Sequence, residues 1–225
     1  MSSSRAYARA RGKSYDETFR CPGGALCLDF CNSGQGMRGS RQSEWISSFG
    51  DLVDWLEAAE AIPHAHAVRW RRAGETAPGA ATAAWKHAIV LRETLFRVFD
   101  AAARGMDAAR ADLEAIEAAF AATLAASRFE RSDEGYAWRL DPEATAPRTI
   151  VQPIVKSAVD LLTSGKLSRL RQCGSETCSW LFLDETKNRS RRWCEMASCG
   201  NLAKVRRHRE KGGAKAKPRT ARAPA

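Results

Sequence analysis

Two pairs of cysteines near the end of the chain constrain its fold more than any other feature. Cys173 and Cys178 form one Cys-x4-Cys pair, and Cys194 and Cys199 form a second pair with the same spacing. Each pair can sit on a tight turn, and the residues between the pairs can form a strand and loop that bring all four thiolates to one metal ion. This pattern is typical of a four-thiolate zinc site.

An iron–sulfur cluster, two disulfides and four free thiols are the alternatives for these cysteines. Disulfides are disfavoured because nothing in the sequence resembles a secretory signal, and reducing compartments favour metal or redox roles for paired cysteines. Ligation by thiolates alone leaves no open catalytic position. The sequence therefore predicts a structural zinc ion that stabilises a segment too small to bury a core of its own.

The residues around the cysteines resemble the CGNR zinc finger, a bacterial module that usually follows an ABATE domain. The resemblance lies in Trp180-Leu-Phe-Leu-Asp184, in Asn188-Arg-Ser-Arg-Arg-Trp193 and in Cys199-Gly-Asn201. Leu202 occupies the position of the arginine that gives the family its name. Upstream, Gly23-Gly-Ala-Leu-Cys-Leu-Asp-Phe-Cys-Asn32 resembles the opening of ABATE domains. Such proteins look like stress-induced transcription regulators, so the resemblance implies a zinc-dependent DNA-binding protein with a ligand-sensing N-terminal domain.

The excess positive charge of the chain is confined to its last quarter. Residues 164–225 contain 16 Lys and Arg against 5 Asp and Glu, a net of +11, whereas residues 1–163 contain 20 against 21, a net of −1. Four thiolates and one Zn²⁺ lower the first value to about +9. Charge at this density attracts a polyanion, and nucleic acid is the simplest such partner.

The candidate nucleic-acid-binding residues lie on the loop before Cys194 and on a helix predicted after Cys199. They are Arg189, Arg191, Arg192, Lys204, Arg206, Arg207 and Arg209. On this helix, Leu202 and Val205 are expected to pack on the metal core. An RNA-binding or ribosome-associated zinc protein would use the same basic residues, so charge alone leaves duplex DNA and RNA open.

Hydrophobic periodicity predicts a mainly helical domain before the cysteines. Residues 25–32 alternate like a short strand, and residues 128–131 and 136–140 form a β-hairpin whose Phe129, Tyr136, Trp138 and Leu140 partly cover a core. Helices are predicted over 43–62, 80–104, 107–127, 149–163 and 200–211. The fold class is thus α+β: a mainly helical N-terminal domain with a short strand and a β-hairpin, followed by a small C-terminal zinc-finger module with four cysteine ligands.

Four regions follow from these patterns. Residues 1–18 and 212–225 are expected to be disordered basic tails, residues 19–163 to form the ABATE-like sensor domain, and residues 164–211 to form the CGNR-like finger. The sequence contains no run of about 20 apolar residues, so we expect a cytoplasmic protein. A homodimer is compatible with the sequence.

Candidate ligand-binding residues in the N-terminal domain are Asp29, Asn32 and Arg92, which could line a pocket for a small-molecule effector. The alternative is that Asp29 and Asn32 cap neighbouring backbone amides and that Arg92 forms an ordinary salt bridge. Cys21, Cys27 and Cys31 suggest a catalytic or redox role, but no histidine forms a recognisable dyad with them. The sequence therefore predicts a binding protein and not an enzyme.

Overall fold

The computed structural model describes residues 22–35, 43–133, 135–141 and 146–213. Helices dominate these residues. In chain order the described α-helices are α1 (Leu26–Cys31), α2 (Phe49–Ala58), α3 (His64–Thr76), α4 (Pro78–Ala103), α5 (Arg110–Ala125), α6 (Gln152–Leu162) and α7 (Asn201–Gly213). Short 3-10 helices cover Pro147–Val151 and Gly165–Arg169, and a π-helical turn covers Met196–Gly200.

Three antiparallel strand pairs complete the described part of the chain. They are β1 (Gly34–Gln35) with β2 (Ser43–Glu44), β3 (Ser127–Ser132) with β4 (Gly135–Leu140), and β5 (Leu170–Gln172) with β6 (Leu181–Leu183). The predicted hairpin is the β3–β4 pair, with Phe129 opposite Trp138. The predicted class, α+β with a mainly helical N-terminal part and a small module built on four cysteines, is confirmed.

The helices pack around α4, the longest of them. Pro78 stands in its first turn, where the missing N–H costs nothing. Ala88, Leu91, Leu95 and Phe99 recur at helical spacing and are all buried. Helices α1, α2, α3 and α5 contact α4, and so does strand β5. The cysteine-bearing end of the chain is therefore attached to the centre of the helical part.

The hairpin β5–β6 divides its side chains between two hydrophobic clusters. Leu170, Leu181 and Leu183 are buried in the cluster that the helices form. Phe182 points the other way, as the period of a strand requires, and packs with the four cysteines. One short hairpin thus joins the helical core to the cysteine cluster.

The prediction of a strand over residues 25–32 is wrong, because this segment forms helix α1. Four of its residues are at most 1% exposed: Cys27, Leu28, Phe30 and Cys31. The sequence of this segment is therefore compatible with a buried helix as well as with a buried strand. A short apolar run that is buried all round shows no period that separates helix from strand. The cysteines, taken as the polar half of an alternation, are in fact core residues.

Other element boundaries also differ from prediction. The helix expected over 43–62 begins only at Phe49, because residues 43–44 pair as β2. Ser48 caps this helix by accepting a hydrogen bond of 3.0 Å from the backbone amide of Asp51. Residues 64–76, which show no clear pattern, form α3. Helix α5 starts after Ala109 and not near residue 107.

The aromatic side chains of β3–β4 do not cover a core as predicted. Phe129, Tyr136 and Trp138 are 61%, 64% and 47% exposed, and the side chain of Leu140 lies outside the description. The hairpin follows α5 directly, and the charged residues on its other face are exposed as well. It therefore stands out from the helical body with both faces uncovered by described residues.

The two predicted tails fall mostly outside the described residues, namely 1–18 entirely and 212–225 from residue 214 onward; residues 212 and 213 belong to α7. Among the helices that are described, none combines the length and the apolar character that a membrane span requires.

Candidate metal centre and nucleic-acid interface

The two cysteine pairs meet in one cluster. Cys173 follows β5 and Cys178 precedes β6, while Cys199 sits in the π-helical turn before α7. The four Sγ atoms lie within 4.8 Å of one another, and Cys194 Sγ is 3.8 Å from Cys178 Sγ and 3.6 Å from Cys199 Sγ. A tetrahedral site with Zn–S bonds of about 2.3 Å requires sulfurs about 3.8 Å apart, so the cluster fits zinc.

The electrostatics of the cluster also favour a cation. All four cysteines are buried and unpaired by disulfides. Four thiolates at these distances repel one another unless a positive ion neutralises them.

Two glycines allow the chain to close tightly around the sulfurs. A Cβ on Gly200 would lie 2.6 Å from Met196 Sδ and 3.2 Å from Trp193 Cδ1, and one on Gly174 would lie 3.2 Å from the carbonyl oxygen of Arg192. The amide of Gly174 donates to that same carbonyl at 2.8 Å. This bond joins the first cysteine turn to the second half of the site.

Asp184 organises the loop between β6 and Cys194. Its buried carboxylate accepts hydrogen bonds from the amide and hydroxyl of Thr186, at 3.0 and 2.6 Å, and from the amide of Arg191 at 2.9 Å. Burial raises the pKa of Asp184, but these hydrogen bonds outweigh burial and the pKa lies below its ordinary value. The closed loop leaves Arg189, which has a positive φ of 49°, exposed to solvent.

Arg191 is occupied by the protein itself. Its guanidinium lies 4.3 Å from the centre of the Phe182 ring and donates to the carbonyl oxygens of Trp193 at 3.0 Å, Pro22 at 3.2 Å and Cys194. These contacts link the loop, the cysteine cluster and the start of α1. The geometry gives Arg191 a structural task and leaves it little capacity to contact nucleic acid.

The other predicted nucleic-acid-binding residues lie at the surface of the module. Arg206 pairs with Glu176 at 2.8 Å. The remaining five are exposed and have no acidic partner among the described residues: Arg189, Arg192, Lys204, Arg207 and Arg209. In the helical part and its hairpin, six arginines form ion pairs with carboxylates: Arg71, Arg92, Arg97, Arg104, Arg110 and Arg128. Five others there have no acidic partner among the described residues: Arg69, Arg72, Arg131, Arg139 and Arg148.

The expected packing of Leu202 and Val205 on the metal core is wrong. Leu202 is 56% exposed and Val205 48% exposed, and neither joins the cysteine cluster. Phe182, with Trp180 and Trp193, supplies the apolar contacts there instead. Leu202 lines a surface groove of about 160 Å³ between the first cysteine turn and α7.

The structure places Asp29, Asn32 and Arg92 in buried polar contacts. Asp29 Oδ1 accepts from the amide of Gly23 at 2.8 Å. The amide of Asn32 donates to the carbonyl oxygen of Leu181 at 2.8 Å and accepts from the Leu181 N–H at 2.9 Å. Arg92 binds Glu44 through both terminal nitrogens, at 2.8 and 2.6 Å. Asp29 and Arg92 thus match the alternative of a local cap and a salt bridge. Asn32 differs from that alternative, because it bonds the backbone of a residue 149 positions away and not a neighbouring amide.

Local sequence patterns do not predict the junction between the two parts. Three hydrogen bonds of 2.8 Å cross this junction. Trp180 Nε1 donates to the carbonyl oxygen of Gly34, and the N–H of Leu183 donates to the carbonyl oxygen of Gly23. Gln172 Nε2 donates to Asp100 Oδ1. These partners are far apart in sequence, so no local spacing indicates them. The only sequence signal is that the Gly23–Asn32 motif and the Trp180–Asp184 motif both contain polar residues within apolar runs.

Comparison with known families supports both parts of the fold. A family model named ABATE, with the description "Putative stress-induced transcription regulator", matches residues 24–165, which is more than half of the chain. The chain belongs to the ABATE family. A second model, the CGNR zinc finger, matches residues 169–212 of this ABATE protein and contains all four clustered cysteines. No curated protein matches the chain.

The ABATE protein thus has a zinc site formed by Cys173, Cys178, Cys194 and Cys199. The family match and the close approach of the four sulfurs agree on this cofactor. Because four thiolates saturate a tetrahedral ion, the zinc serves structure and offers no open position for a substrate.

Proposed function

We propose that this ABATE protein is a cytoplasmic transcription regulator that binds duplex DNA through its zinc module in response to stress. The main support is the concentration of positive charge on the zinc module, since residues 164–225 carry a net of +11. Arg189, Arg192, Lys204, Arg207 and Arg209 are exposed on one small module without described acidic partners, so a polyanion is the partner that relieves their mutual repulsion.

The arrangement of these cations favours a surface that follows a nucleic-acid backbone. At 100° per residue, His208 and Arg209 lie about 140° and 120° around α7 from the half-buried Ala203, Lys204 lies about 100° from it, and Arg207 lies only about 40° from it. Arg189 and Arg192 lie on the loop that Asp184 closes. Arg191 is left out of the proposed interface because it holds the module together.

Binding of full-length, zinc-loaded protein to duplex DNA should be measured over a range of salt concentrations. If the five cations contact five phosphates, the slope of log K against log[salt] is expected near −4 to −5. Replacing Lys204 or Arg209 with glutamine should weaken binding to all duplexes alike and make the slope shallower by about one. Arg110→Gln, an equal charge change on helix α5, is the matched control.

Two results would contradict this function. One is the absence of salt-dependent binding to any duplex by the zinc-loaded protein. The other is displacement of bound duplex by structured RNA at much lower concentration, which would favour the RNA-binding alternative that the same cations allow.

We also propose that the helical part senses a small molecule at a groove beside the zinc module. This groove has a volume of about 400 Å³ and lies between Leu26 of α1, Ser157 of α6 and Leu183 of β6. Its walls belong to both parts of the protein, so a bound effector would contact the helices and the metal-bearing hairpin together. Ala25→Trp should fill the groove and abolish any effector-dependent change in DNA affinity while the protein stays folded; an unchanged response would place the effector elsewhere.

A binding role also agrees with the state of the cysteines outside the metal site. Cys27 and Cys31 are fully buried on α1, and burial raises the pKa of Cys27 to about 12. A thiol that stays protonated in a closed core is a poor nucleophile. We therefore propose that the protein is not an enzyme, and hydrolase or thiol-transferase activity that depended on Cys27 would contradict this.

A further inference from the structure

The β3–β4 hairpin presents three aromatic side chains on one face. Phe129 pairs with Trp138 across the strands, and Tyr136 lies two residues before Trp138 on the same side. The ring of Phe129 stacks on Tyr136 with centroids 5.4 Å apart and packs on Trp138 at 5.0 Å. All three rings remain about half exposed or more, so they form one contiguous apolar surface, which we call the hairpin patch.

Nothing in the described part of the chain covers this patch. Strands β3 and β4 pair only with each other there, and the opposite face, with Arg128, Glu130 and Arg139, is exposed too. A two-stranded hairpin with both faces in water is marginally stable by itself. Contiguous exposed aromatics on such an element are characteristic of an interaction site.

The hairpin lacks the positive charge that would attract a polyanion such as nucleic acid. Residues 127–141 contain three arginines against four acidic residues, a net of −1, with the two signs interspersed. A polyanion or an acidic membrane surface gains nothing from such a segment. A nearly neutral surface with both signs interspersed can meet a copy of itself without net repulsion.

We propose that the hairpin patch is the contact surface of a two-fold homodimer, in which Phe129, Tyr136 and Trp138 of two chains pack face to face. The patch is apolar in the middle, and its charges of both signs can pair around the rim. Arg131 lies opposite Tyr136 on the same face, where it can reach acidic residues of the other copy. This inference stands independently of DNA binding.

The area of the patch sets the expected strength of the dimer. Aromatic side chains contribute about 200 Å² each when fully buried, so six half-exposed rings remove about 600 Å² from water before the rim is counted. Specific interfaces usually bury more than about 1,000 Å² in total, so rim residues of both copies have to supply the remaining area and the association is expected to be weak. We therefore expect reversible association with a dissociation constant in the micromolar range.

Analytical ultracentrifugation of the full-length, zinc-loaded protein tests the proposal. The wild type should change from monomer to dimer across micromolar concentrations, and Trp138→Ser should weaken association by about tenfold or more. Val90→Ser removes a side chain that is 65% exposed on α4, and this matched control should associate like the wild type. Tyr136→Arg places two like charges in the contact and should give a monomer even if Trp138→Ser does not fold.

Three results would overturn the proposal. A wild-type protein that stays monomeric at all the concentrations measured would show that the hairpin patch does not bind a second copy. A dimer that Tyr136→Arg leaves intact shows that the contact lies elsewhere. Binding of a single-stranded oligonucleotide by a monomeric wild type, lost in the folded Tyr136→Arg variant, would make the patch a stacking platform for bases instead.

Discussion

At the scale of single residues, the side chain of Asn32 bonds the backbone of strand β6 in the way that a neighbouring strand would. Its side-chain amide donates to and accepts from the backbone of Leu181, at 2.8 and 2.9 Å, while only 2% of the residue is exposed. Losing such a partner leaves a buried N–H and C=O unsatisfied, at a cost of about 1–3 kcal/mol each. This side chain therefore helps to fix how the metal-bearing hairpin sits beside the end of α1, together with the bonds from Trp180 and Leu183.

The exposure of Leu202 decides whether an arginine at this position would disturb the packing of the module. Because Leu202 is 56% exposed in the groove beside Arg206, Leu202→Arg should cost no packing and should leave the melting temperature nearly unchanged. The added cation should tighten duplex binding and steepen the salt slope by about 0.9. Fluorescence anisotropy and thermal denaturation of the same preparation provide both measurements.

Leu202→Gln, with similar bulk and no charge, is the control for this substitution, and it should leave the salt slope as it is. A large fall in melting temperature for Leu202→Arg would mean that the leucine stabilises the module. Unchanged affinity in a stable variant would mean that this position faces away from the duplex.

At the scale of elements, the loop 184–191 depends on one carboxylate. Asp184→Asn replaces one accepting oxygen with an NH₂ group that faces the Thr186 or Arg191 donors, so a buried hydrogen bond is lost at about 1–3 kcal/mol. We expect a lower melting temperature and weaker duplex binding, because the loop no longer presents Arg189 and Arg192 together. Circular dichroism and anisotropy test the two effects.

Glu185→Gln, the control, removes one negative charge from the exposed neighbouring residue. Because salt screens exposed charges, this variant should leave the melting temperature and the duplex affinity nearly unchanged. If Asp184→Asn behaved like Glu185→Gln, the hydrogen bonds of Asp184 would have no part in shaping the loop.

Elements differed in how well the sequence predicted them. The metal site could be predicted because ligand spacing is local, and α4 and α5 because long apolar stripes repeat at helical period. Helix α3 was missed because only His66, Ala67 and Trp70 of its thirteen residues are buried, which gives too few points to show a period. The Asn32–Leu181 pair spans 149 residues, and tertiary contacts of that kind leave no pattern in the sequence.

At the scale of the whole molecule, the zinc module is not an appended finger. Leu170, Leu181 and Leu183 pack among the helices while Phe182 packs on the cysteines. A backbone hydrogen bond from Leu183 to Gly23, and a side-chain hydrogen bond from Arg191 on the following loop to Pro22, tie the module to the segment before α1. Contiguous contacts therefore join the metal site to the helical core.

Zinc removal is therefore expected to destabilise the entire chain. The shared core predicts that apo protein, or a Cys194→Ser variant, melts in one transition at a markedly lower temperature. Structural zinc contributes about 10–16 kcal/mol of apparent folding free energy in small modules, and part of that stabilisation should reach α1 through Asn32 and Gly23. Hydrogen exchange should show the amides of α1 losing protection together with those of β6, and added zinc should restore both in the wild type. Two separate transitions, with α1 equally protected in the apo and zinc-loaded protein, would show that the helical part folds independently of the metal and that the contacts across the junction add little to its stability.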